Sequence, residues 1–396
     1  MSSISVSKPR RWFENPRAQT RLALAVWIVP LLVIMGLVIA SPPIHRTVVN
    51  VYHTAVDNWW AQRSLYKPAF SYHYLPQFTV LFMPFHFLPW PLGDWLWRLV
   101  SAGLLVSGLW RLARQQFGGE AARAFLWSTL LVMPLSLGAL RNGQANVIFA
   151  AFTLQAVACL SPRQWWAAAV FMVLALAVKQ LGLVLIVFAA VVYPALRWRV
   201  ALGIVALAGL PFLFGSPAYV VSQYRDFLEH LPVCAAVIEH RFADLNGIIR
   251  TFGMELHADV SKVMRMLAGG AILGAWWMGA RRWADPLRAM WLYALVASYL
   301  MLFNPMTEAN SYVIVAPAFG LWAAWASGRK DTRRVGWDLA CMGLSMGLLP
   351  SLFRPWFGNY FALIWHPTMT IFFVGMLIYF RWRIVDLTEE PRVQSA

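Results

Sequence analysis

Three polar segments interrupt long apolar stretches of this sequence and are the first places to look for chemistry. They are Arg141 to Asn146, Lys179, and Asn304 to Tyr312. Polar and ionisable groups inside a membrane are energetically expensive, so they indicate function unless they only reach the interface or form a turn. Amide side chains and an ammonium group can bind a ligand that carries several polar groups. The sequence therefore predicts a cavity that Asn142, Gln144 and Asn146 line together with Lys179.

A carboxylate in such a place could act as a general base, and few carboxylates stand in a suitable position. Asp57 follows the first apolar run, where a helix would place it on one face with Tyr52 and His53. Glu308 lies between two apolar stretches, and Asp94 follows a glycine at a predicted helix start, where Asp serves as a cap. Asp57 and Glu308 are therefore the two candidate bases, and a protein without a base at either position stays open as the third interpretation.

A phosphate ligand would require cations near the same polar segments. Arg binds two phosphate oxygens at once, whereas Lys acts as a point charge. The cations predicted for this role are Arg46, Arg141, Lys179, Arg241 and Arg250. The sequence shows neither a glycine-rich phosphate loop nor a dinucleotide motif, and its cysteines have no metal-ligand spacing, so no cofactor and no metal are expected.

The elements that must position these residues are membrane helices. Hydrophobic residues make up 60% of the 396 residues, and the mean hydropathy is +0.58. Apolar stretches such as Leu22–Ala40 and Ile371–Phe380 are continuous and carry no charge, which is typical of helices and not of barrel strands. We therefore expect an all-α polytopic membrane protein with about 12 spans, in which the first helix is retained.

The net charge of +16 falls in short Arg and Lys clusters beside apolar segments. This is the positive-inside pattern of membrane proteins, which explains the charge without nucleic acid and places both termini in the cytoplasm. The proline-rich segment Leu75–Leu88 is predicted not to span, although residues 163–178 and 181–196 are the alternative exception. Residues 1–396 then form one domain, with non-cytoplasmic loops at 41–74 and 216–264 and shorter ones at 304–311 and 353–360. The amphipathic stretches Val51–Leu65 and Tyr219–Val237 predict surface helices in the two long loops.

Several segments in a fixed order resemble glycosyltransferase family 87, within the multi-spanning C superfamily of glycosyltransferases. The matching pieces are Val51-Tyr52, Tyr74-Leu75-Pro76-Gln77-Phe78, Asn142-Gly143-Gln144-Ala145-Asn146, Lys179-Gln180-Leu181, and Asn304–Tyr312 with Pro317. Together they cover about residues 45–320. No single motif is specific, but their order is.

This resemblance implies an inverting transferase that moves a sugar, often mannose, from a polyprenyl-phosphate donor to a lipid or glycan acceptor. The reaction would take place on the non-cytoplasmic face of a bacterial inner membrane, among membrane lipids and without cofactors. One carboxylate would act as general base, and Asp57 is favoured because the first outer loop usually carries it. The remaining residues implied in substrate binding are Arg46, Tyr52, Arg141, Asn142, Gln144, Asn146, Lys179, Asn246, Arg250, Asn304, Asn310 and Tyr312.

The chain departs from the family pattern in two places. Many relatives carry an Asp shortly before the Val-Tyr pair, where this chain has Thr47-Val48-Val49-Asn50, and relatives often carry His where Asn310-Ser311 stand. A divergent branch or a non-catalytic relative would both explain this. Polar groups at broken helices also occur in transporters of lipids or small solutes, but the sequence shows no repeated halves of the kind many transporters have.

Overall fold

The structure is a computed structural model that describes residues 15–40, 47–67, 72–235, 242–281 and 283–388. The described residues form sixteen α-helices and no strands, which confirms the all-α prediction. In chain order the helices are α1 Pro16–Ala40, α2 Val49–Trp60, α3 Pro76–His86, α4 Leu92–Phe117, α5 Ala121–Asn142, α6 Asn146–Leu160, α7 Trp165–Val178, α8 Gly182–Val192, α9 Pro194–Gly209, α10 Pro217–Ala235, α11 Leu245–Thr251, α12 Ala258–Ala280, α13 Asp285–Phe303, α14 Ala316–Ser327, α15 Arg333–Phe357 and α16 Tyr360–Thr388. Short 3-10 turns occur at Gly118–Glu120, Leu210–Leu213 and Ala309–Ile314.

Six helical stretches of the described residues are long and apolar enough to cross a membrane. They are Pro16–Ala40, Leu92–Asn142, Pro194–Leu213, Asp285–Phe303, Arg333–Phe357 and Tyr360–Phe380. The second of them is 51 residues long and contains both α4 and α5, joined by a 3-10 turn. Three shorter helices, α6, α7 and α8, are also apolar. The proline-rich α3, with 11 residues, is not among these segments.

The core lies where helices are apolar on every face. All residues of α6 are buried, and α13 and α14 are buried along most of their length. A helix that is apolar all round belongs inside a bundle. By contrast, α1 leaves Ile28, Val29 and Leu32 more than half exposed, as expected for a helix whose outer side faces lipid.

The predicted outer segments meet at one end of the bundle. The amide of Val48 donates to the carbonyl of Asn142 at 3.0 Å, and Ser64 Oγ donates to Asp226 Oδ2 at 2.6 Å. The amphipathic stretches in the two long loops form α2 and α10, which confirms helix from Val51 to Trp60 and from Tyr219 to Ala235, whereas residues 61–65 are not helical. The predicted loop at 353–360 is mostly helix, because α15 continues to Phe357 and the chain turns at Gly358, whose φ of +57° suits glycine.

Candidate active site

The turn between α5 and α6 is held by side chains from the first loop and from α4. Gly143 adopts φ +64°, and an added Cβ would lie 2.2 Å from Val49 Cγ2, so glycine is required there. Trp97 Nε1 donates to the carbonyl of Gly143 at 2.8 Å. The hydroxyl of Tyr52 accepts a hydrogen bond from the amide of Ala145 at 3.0 Å. The turn therefore presents its side chains in one fixed direction.

Arg98 is the main support of this turn. Its side chain is only 1% exposed and donates to the carbonyls of Leu140 and Arg141 at 3.0 and 3.1 Å. It also donates to Thr47 Oγ1 at 3.2 Å and forms an ion pair with Asp94 at 3.5 Å. A buried charge of this kind is tolerated only when it is paired and hydrogen-bonded. Arg98 thus ties the last carbonyls of α5 to the start of α4.

A cavity of about 400 Å³ lies beside this turn. It is lined by Val48, His73, Tyr74, Gln144, Asn146, Lys179, Gln180, Leu181, Leu231, Asn304, Pro305, Met306, Glu308 and Ser311. These residues come from the first loop, the α5–α6 turn, the break between α7 and α8, α10 and the loop after α13. The three polar segments singled out in the sequence therefore meet in one place.

A chain of hydrogen bonds runs along the cavity wall from a cation to a carboxylate. Lys179 Nζ donates to Asn146 Oδ1, and Asn146 Nδ2 donates to Gln144 Oε1 at 3.0 Å. Gln144 Nε2 then donates to Glu308 Oε2 at 3.1 Å. Every bond points from Lys179 towards Glu308, so each polarises the next. The chain holds a carboxylate and an ammonium group at fixed positions in one cavity.

Two further contacts shape this cavity. Asn304 Nδ2 donates to Thr307 Oγ1 at 3.1 Å, and Asn146 Nδ2 also donates to Ser311 Oγ at 3.3 Å, which fixes the loop that carries Glu308. Tyr74 lines the wall and its hydroxyl lies 3.0 Å from that of Tyr52. Burial raises the pKa of Tyr74 to about 12, so it stays a neutral hydroxyl that can donate to a ligand.

The other predicted substrate residues that the structure describes are not part of this cavity's lining. The side chain of Arg141 is exposed, and Asn142 contributes its backbone carbonyl to the turn. Asn310 packs against Gly138, while Tyr312 is buried and donates to the carbonyl of Ala243 at 2.7 Å. Arg46 and Arg241 lie outside the described residues.

Asn246 and Arg250 form a separate buried cluster with Asp244. Arg250 and Asp244 are paired at 3.6 Å, and Asn246 Nδ2 donates to Ser261 Oγ at 2.7 Å. Burial raises the pKa of Asp244 to about 6, although Arg250 opposes that shift. This cluster is joined to the Glu308 loop through the amide of Ala243, which donates to the carbonyl of Thr307 at 2.6 Å.

The two candidate bases have different surroundings. Glu308 lines the cavity, whereas Asp57 is exposed on α2 and lies 3.5 Å from His86 Nε2. Asp94, predicted as a helix cap, makes no capping hydrogen bond, and that prediction is wrong. Its side chain instead pairs with Arg98, one turn further along α4, and with His53 Nε2 of α2 at 3.2 Å.

Sequence reasoning did not select Val48, His73, Gln180 or Ser311, which also line the cavity, nor Arg98 beneath it. Gln180 and Ser311 stand next to selected residues. Arg98 follows Trp95-Leu96-Trp97 within an apolar stretch, and a cation in such a place is itself a signal.

Comparison with known families agrees with this geometry. The model of glycosyltransferase family 87 matches residues 72–307, which include most of the cavity wall and end one residue before Glu308. A comparison with curated proteins found no match. The resemblance read from the ordered motifs is thereby confirmed, and this chain, a membrane glycosyltransferase, belongs to glycosyltransferase family 87.

Proposed function

We propose that the cavity is the transfer site of an inverting hexosyltransferase of mannosyltransferase type. Its donor would be a polyprenyl-phosphate sugar and its acceptor a lipid or glycan. The observation that carries this proposal is the hydrogen-bonded chain from Lys179 through Asn146 and Gln144 to Glu308. It combines a base, a cation and amides suited to sugar hydroxyls in a cavity large enough for a hexose.

Glu308 is the proposed general base. Its carboxylate takes the proton of the acceptor hydroxyl while the acceptor oxygen forms a bond to the anomeric carbon. The bond from that carbon to the phosphate oxygen breaks on the opposite side, so the configuration inverts. Gln144 donates to one carboxylate oxygen, which orients the other towards the cavity. Polyprenyl phosphate leaves with the bonding electron pair.

Lys179 is the proposed partner of the phosphate. Of the described residues that line the cavity, one is a lysine or an arginine, and that residue is Lys179. Its ammonium group also interacts with Glu308. An ammonium group next to the leaving oxygen stabilises the negative charge that develops there.

Val48 supports the choice of Glu308 over Asp57. The stretch Thr47–Asn50 has no carboxylate where many relatives carry one, and Val48 of this stretch lines the cavity. Glu308 supplies a carboxylate to the same cavity from another loop, whereas Asp57 is outside its lining. We therefore propose that the base function has moved to Glu308 in this branch.

The proposed location is the non-cytoplasmic face of a bacterial inner membrane. A count of about 12 spans follows if α12, α14 and the three short apolar helices cross together with the longer stretches. An even count places both termini in the cytoplasm, in accord with the basic clusters. The cavity then opens at the outer end of the bundle, since its loops join there.

The test uses the full chain, purified in a detergent without sugar groups and supplied with polyprenyl-phosphate mannose. We expect release of polyprenyl phosphate together with a mannosylated acceptor whose anomeric configuration, read by NMR, is opposite to that of the donor. A panel of polyprenyl-phosphate sugars identifies the preferred sugar. Retained configuration would contradict inversion, and no turnover with any lipid-linked sugar would contradict the proposed reaction.

A further inference from the structure

A second cavity, of about 310 Å³, lies beside the same helix α2. It is lined by His53, His86, Leu88, Trp90, Gly93 and Asp94, and shares no lining residue with the first cavity. Tyr52 and His53 are consecutive on α2, so their side chains point about 100° apart. Tyr52 supports the first cavity, whereas His53 faces the second.

A row of contacts beside the second cavity joins Asp94, the two histidines and Asp57. His53 Nε2 lies 3.2 Å from Asp94 Oδ1, and because the carboxylate accepts, this nitrogen donates. In the tautomer in which His53 Nδ1 accepts, His86 Nδ1, at 3.0 Å, is the donor between the two rings. His86 Nε2 is consequently an unprotonated acceptor.

This acceptor faces a second acceptor. His86 Nε2 lies 3.5 Å from Asp57 Oδ1, which is within ion-pair distance, but no hydrogen bond joins them. Burial lowers the pKa of His86, although Asp57 opposes this, so the neutral imidazole predominates at neutral pH. The row of contacts thus ends in two acceptor atoms, His86 Nε2 and Asp57 Oδ1, and no hydrogen-bond donor of the described residues lies between or beside them.

The surroundings indicate the kind of donor that fits. Asp57 Oδ1 and His86 Nε2 are 3.5 Å apart, so two neighbouring hydroxyl groups on a sugar ring can each donate to one of them. Trp90 lines the cavity and is 52% exposed, so its indole face is free to pack against the C–H face of a sugar. Three apolar residues close in sequence to these lining residues are also exposed and suit an alkyl tail, namely Phe87, Leu92 and Leu96.

We propose that Asp57 and His86 form a second binding site, which takes the vicinal hydroxyl groups of a saccharide head group on a lipid. One hydroxyl donates to Asp57 Oδ1 and its neighbour to His86 Nε2. That this saccharide is the acceptor of the transfer reaction rests on the proposed function; the saccharide site itself does not. Asp57, selected from the sequence as a base, is here a ligand-binding residue.

The experiment measures protection of His86 by a sugar-headed amphiphile. The full chain, in a polyoxyethylene detergent, reacts with diethyl pyrocarbonate, and acylation of each histidine is followed by mass spectrometry. Octyl α-mannoside at saturation is expected to slow acylation of His86 by about tenfold. Octyl tetraoxyethylene ether, which has the same tail without a sugar, is expected to leave it unchanged.

The chain offers a matched internal control. His257 Nδ1 lies 3.5 Å from Asp259 Oδ2, but both side chains are more than 70% exposed and outside any cavity described above. Acylation of His257 should not respond to either amphiphile. Asp57→Asn should weaken octyl mannoside binding by about tenfold, the worth of a hydrogen bond to a charged group. Asp259→Asn should not change it.

Equal protection by the ether, or an unchanged affinity in Asp57→Asn, would overturn the proposal. Protection by octylammonium without protection by octyl mannoside would overturn the saccharide assignment. The same titration in Glu308→Gln separates the two proposals. If that variant and the wild type bind octyl mannoside but the wild type transfers no sugar, the reaction fails and the site stands. If the wild type transfers sugar but octyl mannoside does not protect His86, the proposed reaction stands and the saccharide site fails.

Discussion

Two networks that border helix α2 each contain a carboxylate with a proposed role but balance their protons differently. In the first, Lys179 and the amides supply a donor for every acceptor up to Glu308. In the second, His53 and His86 satisfy Asp94 but leave His86 Nε2 and Asp57 as facing acceptors. A closed network positions a reacting group, whereas an open one is completed by a ligand. The residue type alone would not have distinguished Glu308 from Asp57.

The largest effect is expected for Glu308→Gln, which keeps the hydrogen bond to Gln144 but removes the base. We expect turnover of the polyprenyl-phosphate sugar to fall by about 10²- to 10⁴-fold, with donor affinity retained. Glu255→Gln, at an exposed glutamate of the loop before α12, is the control and should keep full turnover. Normal turnover in Glu308→Gln would show that the first network has no role in catalysis. The contrast drawn between the two networks would then fail as well.

Arg98 joins the two networks, because it pairs with Asp94 of one and holds the turn that carries Gln144 of the other. Arg98→Met should lower the free energy of unfolding by about 3–5 kcal/mol, since Asp94 is left as an uncompensated buried charge. Thermal unfolding followed by circular dichroism measures this. The double variant Arg98→Met/Asp94→Asn should recover part of the loss. A single variant as stable as the wild type would show that the networks are not joined there.

Gly143→Ala should misplace the first network, and its Cβ would also crowd Arg98 at 3.0 Å, which pairs with Asp94 of the second. Alanine at φ +64° costs about 1–2 kcal/mol, and its Cβ would also clash with Val49. Because the turn must shift, we expect kcat/KM to fall on the order of 10- to 100-fold. Gly253→Ala is the matched control, since Gly253 has φ +76° with nothing within 4 Å of an added Cβ. Equal losses in both variants would attribute the effect to backbone strain alone.

The sequence was most informative where polarity conflicts with a membrane. Asn146, Lys179 and Glu308 interrupt apolar helices, and the cost of burying them was enough to select residues that do line one cavity. The helical class followed from the continuous apolar stretches for the same physical reason. These inferences depend on local sequence, which is why they could be made before the fold was known.

Contacts between distant segments could not be read in this way. Arg98 was missed because its acceptors are carbonyls about 42 residues away, in a turn whose shape depends on Gly143. Asp57 was favoured by its place in the first loop, yet its surroundings depend on His86, which comes from another helix. Tyr312 stands in a polar motif, but its hydroxyl is used to hold the carbonyl of Ala243.

The smallest effect on the chemical step is expected for Asp57→Asn, and its form matters more than its size. A ligand-binding Asp57 predicts a KM for the acceptor that rises about tenfold, because one hydrogen bond to a charge is lost. The maximal rate should stay within about threefold, since a residue that binds substrate equally in the ground and transition states changes KM alone. Steady-state kinetics at varied acceptor concentration separate the two constants. If the maximal rate instead collapses while KM is unchanged, Asp57 is the base, and the assignment of roles to the two networks must be exchanged.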